Sequence, residues 1–274
     1  MGLTNSISGK LASPVYSTYE NKLEKEVFAS PVPRHVAIIM DGNRRYAREV
    51  LKAENTNMGH EMGKDKLEEV LNWCIKAGVK VLTVYAFSTE NFSREEEEVG
   101  FLLTLIKDMM KSLGDDQRIH SNKVRVKMIG DRSIIPDDLK EAVEYAEDRT
   151  KDYDAYHFNV AVAYGGRQEI INAVKRVAQQ VKDGEIDVED ITEDSISVNM
   201  YTSDDPDPDL VLRTSGEFRL SNFLIWQMAY SELYFTDITD GSVEYRFLPE
   251  IVDRRCVYEH YIQCHVSTLS VLLI

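Results

Sequence analysis

Six short runs of β-branched and aliphatic residues punctuate the chain: Val36–Met40, Lys80–Phe87, Val124–Ile129, Phe158–Ala163, Leu210–Arg213 and Leu233–Phe235. Each reads as a buried strand. Between most of them the apolar spacing turns helical, with Leu67, Val70, Leu71 and Cys74 before Gly78, and Ile170, Ile171, Val174, Val177, Ala178 and Val181 before Gly184. Strands alternating with helices predict an α/β fold, a six-stranded, mainly parallel sheet flanked by helices on both faces. In such a sheet ligands collect at the carboxyl ends of the strands, so the polar residues just after each strand are the ones to examine.

Two segments leave their role open. Residues Glu97–Leu113 are helical by spacing, but Phe101, Leu102, Leu103, Leu105, Ile106, Met109 and Met110 make the apolar face too wide for one sheet. Either the helix packs on two sides or it walls a long apolar cavity. The acidic run Glu95–Glu98 starts it favourably against the dipole. Upstream of the first strand, Val15, Tyr16, Tyr19, Leu23 and Val27 share one helical face before Pro31-Val32-Pro33. That amphipathic segment, residues 1–30, either docks on the domain, the default, or makes a peripheral membrane contact.

With 274 residues the chain has room for one large domain or two small ones. Its 47 acidic residues outnumber 32 basic ones, and a net charge of −15 excludes a protein living on nucleic-acid phosphates. Any bound anion must be met by a local basic cluster. Cys74, Cys256 and Cys264 have no paired spacing, so neither a disulfide framework nor a zinc site is indicated, and a reducing compartment is expected. No apolar stretch approaches the ~20 residues of a membrane span, which predicts a soluble, cytoplasmic protein. The start MGLTNSISGK has the Gly2 to Ser6 spacing of a myristoylation signal, but reads as a polar frayed terminus.

The chemistry concentrates at strand ends. After the first strand come Asp41, Gly42, Asn43, Arg44 and Arg45, where a helix is expected to begin. Helix N–H groups, a permissive glycine and arginine forks suit a phosphate, and Asp41 beside a polyphosphate is the usual arrangement for Mg²⁺. Alone, Asp41 is equally well read as a helix cap. The second strand leads into Ser88-Thr89-Glu90-Asn91-Phe92-Ser93-Arg94, the fourth into Gly165-Gly166-Arg167, and the fifth into Arg213-Thr214-Ser215-Gly216-Glu217-Phe218-Arg219-Leu220-Ser221-Asn222. Convergence of Arg45, Arg94, Arg167, Arg213 and Arg219 on one edge of an acidic protein points to two phosphate or diphosphate groups.

From about Pro33 to Arg255, the ordered motifs HVAIIMDGNRRYA, Gly59-His60, VYAFSTENF, VRVKMIGD, AYGGRQEI and DLVLRTSGEFRLSNFLIWQMAYSELYF resemble the cis-prenyltransferases, or Z-polyprenyl diphosphate synthases. The wording is closer to the archaeal and eukaryotic branch. The resemblance implies a catalytic domain over 31–255 with an apolar tunnel, followed by an atypical tail over 256–274. It implies sequential head-to-tail condensation of isopentenyl diphosphate onto an allylic prenyl diphosphate, farnesyl or geranylgeranyl, giving a medium- or long-chain polyprenyl diphosphate, the precursor of a glycosyl carrier lipid. Asp41 is implied as the essential carboxylate, with Asn91 beside the reacting carbons. Gly42, Asn43, Arg44, Arg45, His60 and Ser88 are implied at the allylic diphosphate, and Arg94, Arg213, Arg219 and Ser221 at isopentenyl diphosphate. Glu232 joins Asp41 as an implied Mg²⁺ ligand, sometimes across a dimer interface. The tunnel is implied along Ala86, Phe87, Gly100, Leu102, Leu103, Ile106 and Met128, with Met128, Leu102 and Phe101 forming its floor. A homodimer is implied, with Phe223, Trp226 and Tyr230 near the interface.

The chain departs from that pattern at Thr56, where members usually carry arginine, and at Phe218, where many bacterial members have a metal-ligating histidine. The C-terminal arginine-any-glycine motif is not evident around Arg254-Arg255-Cys256-Val257, which leaves a heteromer open. Asp204-Asp205-Pro206-Asp207-Pro208-Asp209 imitates an aspartate-rich Mg²⁺ motif, but its prolines forbid the helical spacing such a motif needs, and it reads as a surface loop. His35, His120, His157, His260 and His265 have no spacing suggestive of zinc and are expected in ordinary structural roles. Two other functions compete: a non-catalytic diphosphate-binding partner subunit, which would lack the strand-end aspartate, and a nucleotide-binding enzyme, which would need a GxGxxG or Walker-type loop.

Overall fold

A computed structural model describes residues 32–41, 67 and 69–236. From Arg34 onward these belong to one compact unit, Arg34–Ser242. The expected N-terminal helix in residues 1–30 and the tail over 256–274 lie outside the described residues, as do Gly42, Asn43, Arg44, Arg45, Thr56 and His60.

The strands are β1 His35–Ile39, β2 Val81–Ser88, β3 Val124–Ile129, β4 Tyr156–Tyr164, β5 Leu210–Arg213 and β6 Glu232–Phe235. They form one sheet in the order β3-β4-β2-β1-β5-β6. Every neighbouring pair is parallel. Parallel strands inside a sheet are covered on both faces, which is why β1 and β5 are buried at every position. All the carboxyl ends consequently share one edge. β1 has β2 on one side and β5 on the other, so the chain changes direction across β1 and opens a crevice above it.

Between strands run α1 (69–77), α2 Glu96–Asp115, α3 Gln117–Asn122, α4 Asp137–Thr150, α5 Gly166–Lys182 and α6 Glu193–Ser197. Three glutamates in the first turn of α2 complement its dipole, since no side chain caps it. The wide apolar face of α2 has a divided use. Leu103, Ile106, Met109 and Met110 are buried, and α2 packs against α4. Near its start Leu102 borders a cavity. α5 differs from its apolar pattern: Ala173 and Val177 are buried while Ile171 and Val174 face outward, because the inward face also takes the carboxylate of Glu169. No helix among the described residues is long and apolar enough to cross a membrane.

Below the carboxyl edge, Ala37, Ile39, Tyr85, Ala161, Tyr164, Val211, Phe223 and Leu224 form a core cluster. Phe223 is fully buried and stacks on Tyr85 with ring centroids 4.6 Å apart, so its ring serves the core. Trp226 is half-buried and donates its indole N–H to Ser197 Oγ at 3.1 Å, whereas Tyr230 is fully exposed.

The opposite, amino edge is closed by the aspartate-rich loop. Asp209 Oδ2 accepts from the backbone N–H groups of Arg34 (2.6 Å) and His35 (3.0 Å). The Asp205 side chain, 2 % exposed, pairs with His157 and accepts from Asn159 Nδ2 at 2.7 Å. His35 bonds Pro206 O and Thr83 Oγ1 at 2.6 and 2.8 Å. The loop is thus only partly at the surface: two of its carboxylates tie the amino ends of β1 and β4 to the entry of β5.

Burial pushes the Asp205 carboxyl up, but hydrogen bonds from His157 and Asn159 outweigh it and hold it below the usual carboxylate range. A carboxyl whose folded pKa is depressed contributes stability above its unfolded pKa and loses it as pH falls through the folded one. Asp205→Ala is expected to cost about 3 kcal/mol in urea denaturation near neutral pH, the loss expected for a broken buried pair. The gap to the parent should narrow in acid; a gap that persists there would contradict the ionic origin of the effect.

Candidate functional site

The site begins with register. Ile39, the last residue of β1, lies opposite Arg213, the last of β5, so the loops that follow leave the sheet side by side. Thr214 Oγ1 locks them: it accepts from Asp41 N at 2.9 Å and donates to Asp41 O at 2.8 Å. Arg213 is only 3 % exposed, and a guanidinium so buried needs partners on all sides. Nη2 donates to Asp41 Oδ2 at 2.6 Å, and Nη1 to Ser221 Oγ at 2.8 Å and to the carbonyl of Arg219. Nε is buried with no acceptor among the described residues.

The loop after β5 reaches back to Arg213 by bending through left-handed backbone at Ser215, Ser221, Asn222 and Leu224, with φ of 75°, 47°, 63° and 41°. Residues that are not glycine adopt this region at a cost and persist there only where surrounding contacts over-determine them. Here the bends set Ser221 Oγ on the guanidinium, and the Tyr85 hydroxyl donates to the Ser221 carbonyl at 3.3 Å and the Tyr164 carbonyl at 3.1 Å.

β2 contributes through a bulge. Its pairing with β4 shifts between Tyr85 and Phe87, so Tyr85 joins the core cluster while Ala86 reaches a cavity. Ser88 and Asn91 then cap the turn Thr89–Ser93 reciprocally, at 3.0 and 3.2 Å. Arg94 follows, with Nη1 on Glu98 at 2.8 Å.

These loops enclose a cavity of about 300 Å³ lined by Ile39, Met40, Asp41, Tyr85, Ala86, Ser88, Glu90, Asn91, Arg94, Leu102, Arg213, Arg219 and Ser221. The structure therefore brings together Asp41, Ser88, Asn91, Arg94, Arg213, Arg219 and Ser221, along with Ala86 and Leu102. Phe87, Leu103, Ile106 and Met128 are buried and do not border the cavity, and Gly100 is exposed. Arg167, in the first turn of α5, is exposed and does not border the cavity. Glu232 opens β6 opposite Leu210, at the amino end of β5, so the structure does not bring it to Asp41 within one chain. Phe218 is 77 % exposed with its ring 5.4 Å from that of Phe235.

Four lining residues were absent from the expected site: Ile39 and Met40 at the end of β1, and the polar Tyr85 and Glu90. Glu90 sits in the strand-end segment that the sequence singles out, and position alone could have found it. Burial pushes its carboxyl up, but hydrogen bonds from backbone N–H, Asn222, Ser88 and Thr89 outweigh this and hold it below the usual range. Tyr85 falls inside the apolar run of β2, where nothing distinguishes it locally.

Chemically, the cavity is lined by residues carrying three guanidinium groups (Arg94, Arg213, Arg219), three hydroxyls (Tyr85, Ser88, Ser221) and an amide (Asn91) beside two carboxylates (Asp41, Glu90). All the carboxylate, hydroxyl and amide donors are hard oxygens, and neither thiolate nor imidazole borders the cavity among the described residues. That set suits an oxyanion together with a hard cation.

Residues 39–252 match the family model described as "Putative undecaprenyl diphosphate synthase". A tritrans,polycis-undecaprenyl-diphosphate synthase (geranylgeranyl-diphosphate specific) of Thermoplasma volcanium is 52 % identical over 232 residues, 85 % of this chain and 89 % of that protein. The synthase of the same name from Picrophilus torridus is 53 % identical over 220 residues, 80 % of this chain and 86 % of its own. Among solved structures, lavandulyl diphosphate synthase from Lavandula x intermedia in complex with dimethylallyl diphosphate superposes with a TM-score of 0.76 at 34 % identity, covering 84 % of this chain and 95 % of that one.

Burial drives the Tyr85 hydroxyl well above its ordinary pKa, so it remains a donor at every working pH. Tyr85→Phe should keep the stack on Phe223, remove both hydroxyl bonds and cost about 1 kcal/mol in urea denaturation. An unchanged midpoint would mean that the hydroxyl does not hold the Ser221 turn.

Proposed function

The chain belongs to the cis-prenyltransferases, the undecaprenyl diphosphate synthase family, and from that premise we propose how its strand-end cavity elongates a prenyl chain with isopentenyl diphosphate. The observation that carries the reading is the buried Arg213, paired with Asp41 and bordering a cavity also lined by Arg94, Arg219 and Ser221. Arg213, Arg219 and Ser221 would hold the diphosphate of isopentenyl diphosphate. The allylic diphosphate would lie toward Asp41, where the expected Gly42, Asn43, Arg44, Arg45 and His60 contacts belong to residues beyond those described. Ser88 and Asn91, fixed by their reciprocal cap, would orient the reacting carbons between the two diphosphates.

In the reaction the allylic C1–O bond breaks, and the isopentenyl double bond attacks C1 through C4. Loss of a C2 proton then leaves the new Z double bond. Negative charge grows on the departing diphosphate, and donors already fixed in the wall stabilise it without reorganising. Asn91 is an amide and does not take the proton; the released diphosphate does. Between substrates the guanidinium charges are held by Asp41, Glu98 and Glu217, so the cavity remains formed when empty.

Asp41 fits Mg²⁺, since a half-exposed carboxylate plus substrate oxygens and waters is how this ion is usually held. Mg²⁺ bound there would neutralise diphosphate charge beside an acidic side chain. A metal role for Glu232 requires a second copy of the chain. Homodimerisation is supported by Tyr230, Leu233 and Phe218, apolar groups exposed beside the edge strand β6. Geranylgeranyl diphosphate is the favoured starter, from the names of the archaeal relatives. The growing prenyl tail would leave the cavity past Ala86 and Leu102, at the start of α2.

Incubation with labelled isopentenyl diphosphate, Mg²⁺ and either geranylgeranyl or farnesyl diphosphate should give medium or long polyprenyl diphosphates, longest and fastest from geranylgeranyl. Absence of elongation from both starters would overturn the reading. Asp41→Ala should lower kcat by about 100-fold or more, and chelation of Mg²⁺ should do the same. Arg213→Lys keeps the charge but loses the fork, and is expected mainly to raise the KM for isopentenyl diphosphate. An unchanged KM would contradict the assignment of Arg213.

A further inference from the structure

Asn222 is the point where three strand-end loops meet. Its backbone, at a φ of 63°, turns its carbonyl to accept from Gly166 N at 2.7 Å. Its side-chain Oδ1 accepts from Arg167 N at 2.9 Å, so two N–H groups at the start of α5 end on this one residue. Nδ2 donates to Glu90 Oε1 at 3.1 Å and to Gln168 Oε1 at 3.2 Å. The loop after β2, the start of α5 after β4 and the loop after β5 are thereby joined, although Glu90 and Asn222 are 132 positions apart.

The paired glycines after β4 are explained by the same junction. A Cβ on Gly165 would lie 2.4 Å from Gln168 Oε1, 2.8 Å from Asn222 Nδ2 and 2.9 Å from Thr89 Oγ1. One on Gly166 would lie 2.7 Å from Ile225 Cγ1 and 3.1 Å from Asn222 O. Any larger residue at either position would push the loops apart. Asn222 does not line the cavity, but Ser221 before it and Glu90 across from it both do.

We propose that Asn222 is a positioning residue for the isopentenyl diphosphate half of the site, its amide and carbonyl holding the Arg213, Arg219 and Ser221 wall in register with Ser88 and Asn91. This rests on the elongation reading above. Displacing a positioned group by about 1 Å costs up to ~100-fold in rate, so a junction that sets the spacing of two walls has kinetic weight without touching substrate. Because the Ser221 side faces isopentenyl diphosphate, loosening the junction acts on that substrate and much less on the starter.

Asn222→Asp keeps the acceptor for Arg167 N but replaces the donor to Glu90 with a second carboxylate. It should raise the KM for isopentenyl diphosphate about tenfold or more while the KM for the starter moves little. Asn222→Asp/Glu90→Gln restores one donor and one acceptor with their direction reversed, and should recover most of that loss, which general destabilisation would not allow. Asn222→Gly tolerates the positive φ and keeps the backbone carbonyl. By hydrogen exchange it should expose the Arg167 N–H while leaving the Gly166 N–H protected. An unchanged KM for isopentenyl diphosphate in Asn222→Asp, a double variant no better than the single one, or unchanged Arg167 exchange would each overturn the proposal. Elongation by the parent chain is the control: if it is absent the functional reading fails, whereas the exchange arm still decides whether the junction exists.

Discussion

A guanidinium that is 97 % removed from solvent must be neutralised, and in this fold Arg213 is neutralised by Asp41. Leaving the buried guanidinium unpaired would cost several kcal/mol, so the pair requires that β1 and β5 end level and that their following loops leave together. The parallel register of Ile39 with Arg213 provides that, and Thr214 fastens it. The remaining site geometry follows from this contact: Ser221 is drawn in as a further acceptor, the loop after β5 bends through positive φ to deliver it, and Tyr85 supports the bend from below.

The two edges of the sheet divide the work. At the amino edge, Asp205 and Asp209 spend their charge on His157, Asn159 and backbone N–H groups, which makes that edge a closed structural joint. At the carboxyl edge, arginines border open space and are balanced by carboxylates that an incoming oxyanion can displace. The excess of 15 negative charges is therefore compatible with an anionic substrate, because the basic residues that matter are gathered where the strands end.

The strands were legible because interior parallel strands read as unbroken apolar runs, and the site was legible because polar residues follow those runs directly. Asp41, Ser88, Asn91, Arg94, Arg213, Arg219 and Ser221 all fall there. Contacts between distant segments left no local mark. Phe223 looks like a surface aromatic in SNFLIWQMAY until Tyr85, far away in sequence, is found stacked on it. Ile171 and Val174 fit the helical period of α5 yet face outward, since the buried face includes Glu169. Asn222 has no more prominence in the chain than any asparagine beside a serine; its importance comes entirely from loops that the sheet topology brings to it.

The central claim is that this edge binds diphosphate through fixed arginines, with a divalent cation relieving the repulsion from Asp41. Calorimetric titration of the full chain with inorganic diphosphate, with and without Mg²⁺, tests it without requiring turnover. Binding is predicted to tighten about tenfold or more with Mg²⁺ in the parent chain. The gain should vanish in Asp41→Asn, where the cation-holding charge and the repulsion are removed together. Equal affinity with and without Mg²⁺ in the parent, or an undiminished gain in Asp41→Asn, would contradict the account.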